Sequence, residues 1–73
     1  MAANYQDTFL STLRKDNTPL TIYLTSGFQI HGTICGFDNF VLVVDVEGRQ
    51  QMIYKHAIST IAPSKNILNH PNG

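Results

Sequence analysis

From Leu20 onward apolar residues recur at every second position, and glycine-bearing turns cut the pattern into short lengths, so this stretch folds as a set of short strands. Leu20, Ile22 and Leu24 alternate with Thr21, Tyr23 and Thr25, the mark of a half-buried strand, and Ser26-Gly27 supplies a hairpin turn. A second strand starts at Phe28, with Phe28, Ile30 and Ile34 on one face and Gln29, His31 and Thr33 on the other. Gly32 and Gly36 interrupt it, as glycines do where a small sheet bends into a barrel. Val41 to Val46 is apolar except for Asp45, which predicts a strand covered on both faces. Glu47-Gly48-Arg49 reads as the next turn, followed by a strand from Gln50 to Tyr54 and a last one from Ile58 to Ala62, ended by Pro63.

Ahead of the strands lies one helix. Asn4 can cap its start and Asp7 sits in the first turn, where a negative charge meets the helix dipole. Phe9, Leu10 and Leu13 form its apolar stripe, and Pro19 biases Thr18 away from helical geometry, so the helix ends by Asn17. Ser64 to Gly73 has only Ile67 and Leu68 as apolar residues and reads as a mobile tail. The expectation is mainly β structure with one N-terminal helix, in which residues 1–65 form one domain and 66–73 a short tail.

A chain of 73 residues buries only about 60% of the surface that it exposes when unfolded, so a lone subunit has a thin stability margin. Cys35 is the single cysteine, which excludes a disulfide, and no Cys/His spacing suggests a structural zinc. Oligomerisation is the remaining support. A small open barrel leaves edge strands with unpaired backbone groups, and joining one edge to the other edge of the next copy closes a ring when the rotation permits. The lone thiol and the absence of a signal-peptide pattern point to a reducing cytoplasm, and no apolar run is long enough to cross a membrane. Five Lys/Arg balance five Asp/Glu, a neutral total that still permits a strongly positive spot if symmetry gathers copies of one cation.

The run Tyr54-Lys55-His56-Ala57-Ile58-Ser59-Thr60-Ile61 sets a phenol, an ammonium and an imidazole side by side ahead of an apolar strand. Such groups hold a single-stranded nucleotide by stacking, phosphate contact and sugar hydroxyl contact. The run resembles the second Sm motif of the Hfq family of bacterial Sm-like RNA chaperones, and Gly36-Phe37-Asp38-Asn39-Phe40 resembles the loop that partners it there. The likeness extends from about Tyr5 to Lys65. It implies a five-stranded, strongly bent SH3-like Sm barrel that assembles into a homohexameric ring, with the last two strands paired between subunits.

The resemblance also implies site residues. Uracil-rich RNA would meet Phe40 by stacking, Lys55 and His56 near the pore, and Asn39 and Gln6 by hydrogen bonds, with Tyr54 supporting the turn at the subunit boundary and Ile58, Ser59 and Ile61 in the interface strand. Adenine-rich RNA would meet an opposite face containing Tyr23, Gly27, Phe28, Gln29 and Ile30 on one side, and Gln51, Met52 and Thr60 on the other. His31 matches a position on that face too. Arg14 and Lys15 stand where relatives carry a basic rim, although two cations in a last helical turn are also explained by the dipole.

No nucleophile with its base, no paired carboxylates and no metal cluster can be recognised, so catalysis and cofactors are not expected. The expected function is therefore a non-catalytic RNA chaperone that binds small regulatory RNAs and messenger RNAs and promotes their pairing. A different class, a structural or peptide-binding SH3-like oligomer, would use the same exposed strand edges.

Overall fold

The computed structural model describes residues 5–68, so the expected cap at Asn4 lies outside the described residues. Helix α1 (Tyr5–Asp16) carries Asp7 in its first turn and Arg14 and Lys15 in its last, and it buries Leu10 and Leu13. Asn17 takes a left-handed φ of 50°, and two amides then reach back: Asn17 N–H to the Arg14 carbonyl at 3.3 Å and Thr18 N–H to the Leu13 carbonyl at 3.2 Å. This pair of bonds is a Schellman stop, which turns the chain towards Pro19 and leaves Thr18 buried.

Five antiparallel strands follow: β1 (Leu20–Leu24), β2 (Gln29–Phe37), β3 (Val41–Val46), β4 (Arg49–Tyr54) and β5 (Ile58–Pro63). Their order across the sheet is β4-β3-β2-β1-β5, which leaves β4 and β5 as the two edges. A single turn of 3₁₀ helix, Lys55–Ala57, joins those edges.

The bend resides in β2. Its first part pairs with β1, from Gln29 opposite Tyr23 to Gly32 opposite Leu20, and its second part pairs with β3, from Thr33 opposite Asp45 to Phe37 opposite Leu42. A Cβ at Gly32 would collide with the Asp45 carbonyl oxygen, so the sheet folds back here only because the residue has no side chain. Near Gly36 the register with β3 shifts between Ile34 and Gly36, and the intervening Cys35 is exposed.

The core sits between α1 and the concave side of the sheet, where Leu10, Leu13, Leu20, Ile22, Ile34, Leu42, Val44 and Ile53 are buried. In β3 the Leu42/Val44 row is fully buried whereas Val41 and Val43 are half-buried, so within one subunit the strand is covered on one face rather than both. Strand bounds differ from the sequence reading by one residue at four places, the first being Thr25, which falls in the turn after β1. Phe28 stays in the turn that Gly27 makes with φ 101°, β4 gains Arg49, and Pro63 still pairs with Leu20. Beyond β5 the chain remains attached, because Ser64 N–H bonds to the Pro19 carbonyl at 2.8 Å and Ile67 packs against the core. The expected tail thus begins with a docked segment, and its last residues lie outside those described.

Candidate nucleic-acid interface

Asp38 organises the loop between β2 and β3. One of its carboxylate oxygens accepts N–H bonds from Phe40 and Val41, each at 2.8 Å, and its own N–H bonds to the Val41 carbonyl at 3.0 Å. A short acidic side chain that captures amides two and three residues ahead makes a tight polar turn. These bonds from Phe40 and Val41 hold the Asp38 carboxyl below its ordinary value of 3.8, and the nearby Lys55 charge adds to the effect. The turn leaves Phe40 with 74% of its surface exposed while Phe37 packs against the core.

The Lys55 turn is bonded to this loop. Lys55 N–H donates to the Phe40 carbonyl at 2.8 Å, and the Lys55 ammonium lies over the Phe37 ring, 5.6 Å from its centroid. Tyr54 and His56 flank it with rings stacked at 5.7 Å and 22°. Ala57 anchors the turn from behind by accepting the Thr25 N–H at 2.8 Å. The structure thereby joins Phe40, Lys55, His56 and Tyr54 in one assembly, with Asn39 exposed in the same loop.

Gln6 reaches this region from the helix. A groove of about 390 Å³ runs between the first turns of α1 and β5, with Phe9, Leu42, Ile58 and Ile61 among its apolar lining and Gln6, Lys55, Ser59 and Thr60 among its polar lining. Ile58 and Ile61 also pack against the core, whereas Ser59 and Thr60 are exposed with their hydroxyl oxygens 3.4 Å apart.

On the outer face, Tyr23 stands opposite Gln29 of β2 and Thr60 of β5, and all three are exposed. Gly27 and the 73% exposed Phe28 lie in the adjoining turn. Ile30 is different, since it pairs with the fully buried Ile22 and packs against the core. Gln51 and Met52 are exposed on β4, separated from β1 by β3 and β2, so a single subunit does not bring them beside Tyr23. Consecutive strand residues also point to opposite sides: Gln51 shares the side of buried Ile53, and Met52 the outer one. His31 on that outer face places Nδ1 3.0 Å from the Thr21 hydroxyl. Arg14 and Lys15 are exposed at the far end of α1, on a different part of the surface from the loop assembly.

Two features escaped the sequence reading. The role of Asp38 was legible in principle, because an Asp just ahead of a strand is the signature of such a turn. The Phe37–Lys55 contact had no local signal, since it depends on β2 and β4 ending at the same corner of the barrel. Among the described residues no helix is long and apolar enough to cross a membrane, and no three His, Cys, Asp or Glu residues cluster as metal ligands.

Known proteins match this arrangement. The Hfq protein family matches residues 5–68. The RNA-binding protein Hfq of Moorella thermoacetica is 62% identical over 64 residues, covering 88% of this chain and 76% of that protein. The RNA-binding protein Hfq of Clostridium botulinum is 57% identical over 72 residues, covering 96% and 85%. A crystal structure of the pleiotropic translational regulator Hfq superposes with a TM-score of 0.79 at 39% identity, covering 81% of this chain and 98% of that one. With the helix, the five strands and both motif loops all in place, this chain belongs to the Hfq family of Sm-like RNA-binding proteins.

Proposed function

We propose that the protein is a ring-forming RNA chaperone without catalytic activity, which binds uracil-rich RNA at its pore face and adenine-rich RNA at the opposite face. One observation carries the reading: an exposed Phe40 ring is backbone-bonded to Lys55 beside a groove that Gln6 enters, on a subunit with two open sheet edges. The aromatic face stacks a base, the ammonium meets phosphate or a base edge, and the Gln6 and Asn39 amides read hydrogen-bonding edges.

Pairing β4 of one copy with β5 of the next satisfies both edges and closes a ring, which membership of the Hfq family implies to be a homohexamer. It would also set Met52 of one subunit next to the Tyr23, Gln29 and Thr60 row of its neighbour on the outer face, with Gln51 on the other side of the same edge strand. Six copies of Lys55 around one pore then supply the positive field that a chain of zero formal charge lacks. Small regulatory RNAs and messenger RNAs held on opposite faces of one cytoplasmic particle meet at raised effective concentration, which promotes their pairing.

Titration of a short oligo-U against the wild type and Lys55→Ala at several salt concentrations tests this. The variant is expected to keep its ring size, lose most oligo-U affinity and show a shallower log–log salt dependence, by about 0.7 for each phosphate contact removed. Unchanged binding in the variant would contradict the assignment.

A further inference from the structure

Of the large aromatic and apolar side chains exposed on the described surface, Tyr23, Phe28 and Met52 belong to the outer face, and Phe40 and Tyr54 to the assembly around Lys55. Tyr5 belongs to neither. It opens α1 with 70% of its surface exposed, and it lines the groove that also receives Gln6 and Lys55. A phenol so exposed contributes little to the core, and on the groove wall it presents an aromatic face that a ligand can stack against.

We infer that Tyr5 is a second stacking platform of the uracil-binding groove, taking the base next to the one held by Phe40 and thereby lengthening the RNA footprint on each subunit. The inference rests on the RNA-binding reading above and extends it by one residue and one nucleotide. The chemistry fits the groove in three ways. Its lining is apolar around Phe9, Ile58 and Ile61, which suits the flat face of a base. Gln6, the next residue of the helix, offers an amide to the neighbouring base edge, and Lys55 offers a cation to the phosphate between the two nucleotides. A ring presented from the first turn of a helix is also held in place by its backbone, so stacking costs little ordering. Because any base has a π-face, this second position should accept purines as readily as uracil, which places the uracil preference on the Phe40 side.

The test uses the full chain in its assembled state and a fluorescently labelled hexanucleotide of uridine. Tyr5→Ala is expected to weaken binding about 5- to 150-fold, the range that one base–aromatic stack contributes. Tyr5→Phe is expected to bind like the wild type, and Tyr5→Leu, which keeps apolar bulk without a ring, like the alanine variant. With three tyrosines and no tryptophan, the chain offers a second readout, since the RNA-induced quenching of tyrosine emission should shrink in Tyr5→Leu. If the wild type binds and Phe40→Ala does not, but Tyr5→Ala or Tyr5→Leu binds like the wild type, the second platform is overturned while the RNA reading stands. If the wild type itself fails to bind oligo-U, both are overturned. Native mass of each variant identifies losses that come from a broken ring, and a loss confined to variants that no longer assemble would also overturn the stacking role.

Discussion

Lys55 donates its backbone N–H to the Phe40 carbonyl at 2.8 Å, so the loop that exposes an aromatic ring and the turn that carries the cation form one rigid unit. The bond spans fifteen positions of sequence and joins the end of β4 to the start of β3, next to the Val41–Tyr54 pair of the ladder. In the proposed function, stacking by Phe40 and the charge of Lys55 would therefore reach an RNA in fixed relation, with much of the cost of ordering the two groups already met in folding.

The Asp38 turn holds this unit in shape, and its pH dependence has a definite sign. The carboxyl is held below 3.8 chiefly by the Phe40 and Val41 amides, so the unfolded chain binds the proton more readily than the folded one. Its stabilisation is complete above the ordinary carboxylate range and is lost as pH falls from about 4 through the lowered folded value. Acid unfolding followed by circular dichroism should show a shallower loss of stability in Asp38→Asn than in the wild type over that range. Superimposable acid limbs would contradict the role.

Phe40 separates binding from stability. With 74% of its surface exposed, Phe40→Ala should change unfolding free energy by no more than about 0.5 kcal/mol. Oligo-U affinity should fall about 5- to 150-fold, as expected for the loss of one stacked base. A urea melt alongside a binding titration checks both halves, and a large loss of stability would mean that the ring packs rather than waits for a ligand.

The two strand glycines should respond in opposite ways. Gly32→Ala drives a methyl group into the Asp45 carbonyl at the bend and is expected to cost about 1–3 kcal/mol, with the backbone of β3 displaced. Gly36 has no atom within 4 Å of an added Cβ and an ordinary φ, so Gly36→Ala should be tolerated and gain about 0.4–1 kcal/mol from a narrower unfolded ensemble. Equal effects at both positions in denaturant unfolding would show that the bend does not depend on the close approach at Gly32.

The fold was legible where local chemistry decides it. The alternation from Leu20 to Leu24, the turn at Ser26-Gly27 and the bend at Gly32 each follow from side-chain period or glycine geometry, and the structure matches them to within a residue. Legibility fell where a contact depends on distant strands. Phe28 and Ile30 are both apolar and two residues apart, yet Ile30 turns onto the core beside Ile22 while Phe28, at the hairpin end where its carbonyl accepts the Leu24 N–H at 2.9 Å, stands in solvent. Ile67 reads as part of a polar tail, but the Ser64–Pro19 bond brings it back to the core. For the candidate site, the motif run named Lys55 and His56 and its partner loop named Phe40, whereas the Phe37 partner of Lys55 and the neighbours of Gln51 and Met52 require the closed barrel and a second subunit.

Native mass spectrometry of the full chain with and without one equivalent of a uridine hexanucleotide per ring tests most directly whether symmetry creates the binding site. A particle of six 8.1 kDa chains that gains the mass of one oligonucleotide, and loses that gain in Lys55→Ala while remaining a hexamer, is the expected result. A stable single 8.1 kDa chain at micromolar concentration, or a hexamer that takes up no RNA, would contradict it.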